Sequence, residues 1–404
     1  MRILIYSHDT FGLGHLRRCR TLAHYLVNEY KEVSVLILSG SPIIGSFDFK
    51  SRVDFVRIPG VIKLRNGDYV SLSEHIKIED TLAIRGSIIE HVADHYKPDL
   101  FLVDKEPLGL RGEIKNTLEL LKRKKVPCIL GLRDVLDDPE MLLEEWERKN
   151  AIEAIETYYD QIWVYGLPQI CEPLKGLNAP QSVLSKMIYT GYLKRAVASG
   201  LDEEIDLPQD KYILVTPGGG GDGEAMVDWV LKAYESNDKM PYQAVIVFGP
   251  FMAKKKQAEF KKRIKALSQV SATTFMKHLE LFNKKAEAVI AMGGYNTFCE
   301  ILSFNKKALI IPRTVPRKEQ YLRATRAAEL GLINVLVDDK KRNAETMVKA
   351  IHHLLHRKKP SEAIVPGLLD GLPNVGKLLG HFFKTDRTEL KKMSRKKELI
   401  KDHG

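Results

Sequence analysis

Short apolar runs rich in β-branched residues alternate along this chain with longer stretches whose apolar positions recur at helical spacing. "RILIYS" comes first, followed by a helical pattern over about 16–29 and then by "VSVLILS" and "VDFVRIP". Helical patterns over about 76–95, 111–124 and 141–158 precede "DLFLVD", "PCILGLRD" and "QIWVYG" in turn. That alternation predicts a parallel sheet with helices on both faces. With "MIYTGYLKR" closing the run, residues 1–194 are expected to form one doubly wound α/β domain.

The polar stretch "AVASGLDEEIDLPQD" then reads as an interdomain connection, placed at 195–208. After it the pattern restarts with "KYILVTPGGGG", "QAVIVFGP", "ATTFM", "AEAVIAMGG", "ALIIP" and "INVLV". Helical patterns over about 223–236, 254–267, 296–302, 319–330 and 344–357 run between and after them. A second Rossmann-like domain is expected over 209–380, with a basic tail at 381–404. A length of 404 residues suits two such cores. The fold class expected is therefore α/β, with two doubly wound domains facing each other across a cleft, and that cleft is the default ligand site.

Composition changes this picture little. With 44% hydrophobic and 28% charged residues the chain is of the soluble globular type. No apolar run reaches the roughly 20 residues of a membrane-spanning helix, and "MRILIYSHDT" lacks the longer apolar segment and cleavage site of a signal peptide. A cytoplasmic location is expected. Cys19, Cys128, Cys171 and Cys299 are far apart, with no CxxC pair, and read as reduced thiols.

The formal charge of +11 implies an anionic partner or surface. Nucleic acid is disfavoured because the basic residues are spread over helices and tail without interleaved aromatics. The tail "KTDRTELKKMSRKKELIKDHG" reads as a solvated, frayed end, with contact to an anionic membrane as the alternative.

Gly218, Gly219, Gly220 and Gly221 lie between a strand and a helix, where a bare backbone and orphan N–H groups suit a phosphate or diphosphate. The run satisfies GxGxxG formally. The next strand, however, ends in Phe248 and Gly249 rather than the acid a nicotinamide dinucleotide needs, and no Lys-Ser or Lys-Thr completes a Walker loop. Gly293 and Gly294 repeat the strand-to-helix arrangement, with Asn296 and Thr297 expected to cap the helix and Glu300 one turn in. Glu319 and Gln320 stand at another predicted helix start, a place suited to reading hydroxyls. No HExxH or His/Cys cluster is present, and the pairs Asp137 with Asp138 and Asp338 with Asp339 read as turn acids. Neither a metal nor a cofactor is expected.

The order of the glycine turn, "GGYNTFCEIL", "ALIIP" and "KEQYLRA" resembles the C-terminal domain of the metal-independent nucleotide-sugar glycosyltransferases of the GT-B fold. The likeness is greatest to the N-acetylglucosaminyltransferase of peptidoglycan synthesis and its relatives, and extends to "YTGYLKR" and "FGLGHLRRCRTLA". It implies transfer of a sugar from a nucleotide diphosphate, of uridine in the first instance, to an acceptor that the middle of the first domain does not identify. Gly218 to Gly221 would then contact the diphosphate and Arg195 would neutralise it. Glu300 would hold the ribose, Glu319 and Gln320 would read the sugar, and Phe275 and Leu279 would meet the base. Gly12, Gly14, Gly293, Gly294, Asn296 and Thr297 are grouped with these donor contacts. Two departures stand out: the loop lacks the Ser that often follows two glycines in relatives, and Tyr192-Leu193 replaces Asn-Pro.

His15 sits where the first glycine turn enters a helix, facing the expected cleft. The helix dipole disfavours its protonated form, so a neutral base near pH 7 is expected. His15 is therefore the candidate general base, with Asp9 as an alternative or orienting partner. Arg17 and Arg18 add attraction for phosphate or simply line a solvated helix face; His8 and Cys19 read as structural. The same "GLGHLRRCRTLA" also resembles the nucleotide-sugar hydrolase of pseudaminic acid biosynthesis, in which the imidazole activates water. Hydrolysis is thus the competing reading, and a non-catalytic nucleotide-sugar sensor is a third.

Overall fold

The computed structural model describes every residue except 9–13, 65–67, 198–207, 209, 220, 277 and 383–404. The first half contributes β1 (Arg2–Ser7), β2 (Ser34–Ser39), β3 (Val53–Arg57), the antiparallel hairpin of β4 (Val61–Lys63) and β5 (Tyr69–Ser71), β6 (Leu100–Asp104), β7 (Cys128–Arg133), β8 (Gln161–Tyr165) and β9 (Met187–Tyr189). All but the hairpin join one seven-stranded parallel sheet in the order β3-β2-β1-β6-β7-β8-β9. The second half contributes β10 (Tyr212–Thr216), β11 (Gln243–Val247), β12 (Val270–Thr273), β13 (Ala288–Ala291), β14 (Lys307–Ile310) and β15 (Asn334–Val335). These form a six-stranded parallel sheet in the order β12-β11-β10-β13-β14-β15.

Both sheets reverse their winding beside their first strand. β1 lies between β2 and β6, and β10 between β11 and β13. Loops leaving the carboxyl ends of such neighbours diverge to opposite faces and open a crevice, so each half carries a switch-point site. His15 follows β1, and Gly218 and Gly293 follow β10 and β13.

Side chains alternate across the strands: Ile3 and Ile5 enter one apolar cluster, Leu4 and Tyr6 another. The first of these clusters continues through Tyr192, Tyr295 and Phe298 into Leu214, Val289 and Ile310 of the second sheet, so the two halves share a core.

The chain then crosses back. Tyr192 N–H donates to Leu368 C=O at 2.9 Å, and Gly371 N–H donates to Tyr192 C=O at 3.2 Å. Gly191 has φ +89°, and a Cβ there would stand 2.3 Å from the Gly367 oxygen. A Cβ on Gly371 would stand 2.5 Å from the Gly191 oxygen, so glycine is required on both crossing strands. A helix over 371–382 follows, and its Leu372, Val375 and Leu379 join the shared core. Tyr30 of the first half donates its hydroxyl to Gly376 C=O at 2.7 Å. Residues up to 380 were expected with the second half; this helix packs on the first because its apolar stripe meets the shared core there. Among the described residues no helix is long and apolar enough to cross a membrane.

Candidate active site at the switch points

The helix Gly14–Glu29 presents His15 in its first turn. β1 pairs with β6 through Tyr6 and Val103, which brings the residues just beyond β1 beside Asp104, the last residue of β6. His15 Nδ1 lies 2.5 Å from Asp104 Oδ2. Arg18, one turn further along the helix, donates to Asp104 Oδ1 from Nε at 2.8 Å and from Nη2 at 2.6 Å. Arg18 Nη2 also stands 3.1 Å from His15 Nδ1, but the shorter carboxylate contact assigns the Nδ1 proton to the bond with Asp104. Nε2 is then left with its lone pair, which is the form a general base requires.

Burial lowers the His15 pKa below its ordinary 6.5, and the Asp104 charge only partly opposes this. Burial would raise Asp104, but Arg18 and His15 outweigh it and hold the carboxyl below the usual carboxylate range. At neutral pH the pair is thus a neutral imidazole on an ionised carboxylate. The suggested orienting residue, Asp9, lies outside the described residues, as does Gly12; the partner seen is Asp104. A charged residue closing a strand buried along its whole length was the signal for it.

In the second half, Gly219 and Gly221 are exposed beyond β10, and Gly219 C=O accepts from Phe251 N–H at 2.9 Å. Gly218 N–H donates to the Thr216 hydroxyl at 3.2 Å, while Gly220 lies outside the described residues. Gly293 follows β13, and Gly294 caps the helix Tyr295–Ser303 with no side-chain capping bond. Asn296 and Thr297 therefore do not cap it, because the helix starts before them. Asn296 instead spans the cleft, donating to Gly14 C=O at 3.0 Å and accepting from Arg195 Nη2 at 2.6 Å. Thr297 is half-buried beside it.

Glu300 is buried, and its Oε1 accepts from Arg17 Nη2 at 2.5 Å. A ribose would have to take that carboxylate from Arg17. Arg195 is held by Asn296, by the Thr21 hydroxyl and by the Arg17 carbonyl at 3.4 Å, so its guanidinium is committed to the domain junction. Burial lowers its pKa. Glu319 starts the helix Glu319–Glu329 and pairs with Arg313 at 2.5 Å, with Oε2 buried and unpartnered. Gln320 Oε1 accepts from Arg313 N–H at 3.0 Å. Phe275, 57% exposed, follows β12, and Leu279 opens the helix Leu279–Lys285.

A second set of contacts seals the cleft at one end. Asp134, just past β7, takes Arg323 Nη2 and Nε at 2.7 Å each, and the Tyr192 hydroxyl at 2.6 Å. Asp137, expected as a turn acid, binds across the halves instead, while Asp138 both stays local, accepting from Glu140 N–H at 3.2 Å, and reaches across. Asp137 accepts from Arg317 at 3.0 Å and from Lys318 N–H at 2.8 Å, and Asp138 pairs with Lys318 at 2.7 Å. Asp338 does stay local, pairing with Arg342 at 2.8 Å. Among the described residues no group of three or more His, Cys, Asp or Glu is placed to hold a metal.

Two facing switch-point crevices, a polarised imidazole on one side and glycine turns on the other, define a group-transfer scaffold. Residues 212–364 match the glycosyltransferase family 28 C-terminal domain, which together with the fold supports a transferase. Among particular proteins, it is 26% identical over 323 residues to an uncharacterized glycosyltransferase of Methanosarcina acetivorans, covering 77% of this chain and 79% of that protein.

Two solved structures share the fold at lower identity. MurG of Acinetobacter baumannii superposes with a TM-score of 0.58 at 12% identity, over 94% of this chain and 99% of that one. A UDP-GlcNAc 2-epimerase of Neisseria meningitidis bound to UDP-GlcNAc gives 0.60 at 12% identity, over 95% and 100%. Identities this low speak to the fold alone.

Proposed function

We propose that the chain transfers a sugar from a nucleotide diphosphate, with a uridine diphosphate sugar as the first donor to test, to an acceptor hydroxyl deprotonated by His15. The observation that carries this reading is the 2.5 Å His15–Asp104 contact at the first switch point, on the same rim as the Asn296 contact to Gly14. As the acceptor oxygen attacks the anomeric carbon, its proton passes to His15 Nε2. The Asp104 carboxylate stabilises the imidazolium that forms. The bond from the anomeric carbon to the phosphate oxygen breaks, and charge develops on the departing diphosphate. The exposed N–H groups of Gly219 and Gly221 and the helix start at Gly294 offer donors to that charge. Arg17, once released from Glu300 by the ribose, adds a cation at the same place.

The test is a thermal-shift screen of nucleotide sugars, followed by turnover with and without acceptors. Stabilisation by a uridine diphosphate sugar, with release of diphosphate that speeds up when acceptors are supplied, is the expected outcome. Rapid stoichiometric release of free sugar without acceptor would instead identify a hydrolase. Binding with no turnover in either assay would identify a sensor.

A further inference from the structure

Beside the His15–Asp104 pair, on the side of the first half only, lies a cavity of about 430 Å³. Its walls come from the residue just past β1, the turn after β6, the β4–β5 hairpin and the carboxyl end of the helix Pro139–Arg148. Its size is that of a small-ligand pocket.

His8 lines it, is 5% exposed, and has its Nδ1 buried with no hydrogen-bond partner. An orphaned buried ring nitrogen is costly unless a ligand or water completes it. The His8 ring stands edge-on to that of His15 with centroids 5.6 Å apart, so whatever meets His8 in the cavity is next to the candidate base.

The charges lining the cavity are unevenly matched. Glu106 is already taken by Lys105 at 3.0 Å and by Lys149 at 2.9 Å. Lys149 also pairs with Glu145 at 2.5 Å. Arg148, its neighbour, has no carboxylate partner among the described residues, and Arg111 rests over the Tyr69 ring at 5.8 Å. The carboxylate of Asp68 is the other acid on the wall. A last-turn Arg is favoured by the helix dipole in any case, but two exposed guanidinium groups over one cavity with a buried, unsatisfied nitrogen at its floor call for an oxyanion at one end and a hydroxyl at the other. Guanidinium forks fit phosphate and carboxylate oxygens.

We propose that this cavity is the acceptor subsite and that the acceptor is an anionic, sugar-sized hydroxyl compound. Arg111 and Arg148 hold its phosphate or carboxylate, and His8 Nδ1 hydrogen-bonds the hydroxyl region that His15 acts on. The assignment rests on the transferase reading above.

The experiment measures binding of glucose 6-phosphate, glucuronate and glucose by calorimetry, to the full chain and to an Arg111→Gln/Arg148→Gln variant, with uridine diphosphate as a second ligand. Both arginines are exposed, so the variant keeps its fold. The expected result is that one anionic sugar binds at least about tenfold more tightly than glucose, the step of one charge-assisted contact. The variant should lose that advantage while uridine diphosphate affinity stays within about twofold, and the arm that binds tells phosphate from carboxylate. Equal binding or no binding of the three sugars, or an advantage that survives both substitutions, overturns the proposal. Failure of uridine diphosphate to bind the unmodified chain would count against the transferase reading instead.

Discussion

Among the ion pairs that cross between the halves of this molecule, Asp134–Arg323 and Glu300–Arg17 are built differently. Asp134–Arg323 is bidentate with both side chains 0% exposed, is joined by the Tyr192 hydroxyl, and has Arg323 donating also to Gly293 C=O at 3.2 Å. Glu300–Arg17 is a single bond, with Arg17 33% exposed and the second Glu300 oxygen only 3.5 Å from Asn283 Nδ2. Burial alone would lower the Arg323 pKa, but Asp134 more than compensates and the net shift is upward. For Arg17 the Glu300 charge is the leading influence, also upward. The sealed pair cannot lose a member without stranding a charge in the core. In the open pair Glu300 is buried too, but Arg17 is partly exposed, so water or a ligand has access to the place Arg17 holds. One keeps the halves in register; the other lies where the proposed donor would enter.

The sharpest way to break this contrast is Asp134→Ala, which strands Arg323 and should cost about 3–5 kcal/mol in a urea melt. A loss below 1 kcal/mol would make the two pairs equivalent. Next in size, His15→Ala should cut turnover on the order of a hundredfold while leaving donor affinity within a few-fold. Parallel loss of both would make His15 structural. Glu300→Ala should weaken uridine diphosphate binding about tenfold if its carboxylate holds a ribose, as a lost hydrogen-bonded contact does. Unchanged affinity, read by calorimetry, would end that role.

Acid should act through the buried histidines. His8 and His15 both have pKa values below 6.5, for which burial is the main cause. Above pH of about 6.5 neither folded nor unfolded chain protonates them. Below it the unfolded chain takes up protons that the folded one refuses, so stability falls as pH falls. His8→Phe should flatten that slope between pH 7 and 5. The smallest effect belongs to Arg17→Gln: it unpairs the buried Glu300 carboxylate, but at an opening where Arg17 is 33% exposed, so a urea melt should show a smaller loss than for Asp134→Ala.

The halves and their strand order in sequence were legible because fully buried parallel strands leave unbroken apolar runs, and the glycines after β10 and β13 because strand, glycine and helix are contiguous. His15 was legible as a candidate for the same reason. Asp104 was missed: it is 89 residues from His15, and only the pairing of β1 with β6 brings them together. Asp134 is further still from Arg323, 189 residues on, and "GLRD" reads as the end of a strand. Asn296 was assigned a local task because capping is the commonest use of Asn near a helix start, whereas its bond to Gly14 spans 282 residues. The β4–β5 hairpin did carry a signal, the Asn66-Gly67 dipeptide between "VIKL" and "DYVS", that went unread; the returning helix follows no strand that would announce it.

The glycine-on-glycine crossing at Gly191 and Gly371 has a mechanical consequence. The polypeptide passes between the halves twice at one spot, so they are joined by two adjacent leaves rather than a single tether. Paired leaves flex together but resist shearing and twisting past each other, which leaves one soft rotation, about the line through the crossing. A methyl group wedged there, as in Gly191→Ala, would meet the Gly367 oxygen at 2.3 Å and force the two leaves apart without touching any residue of the cleft.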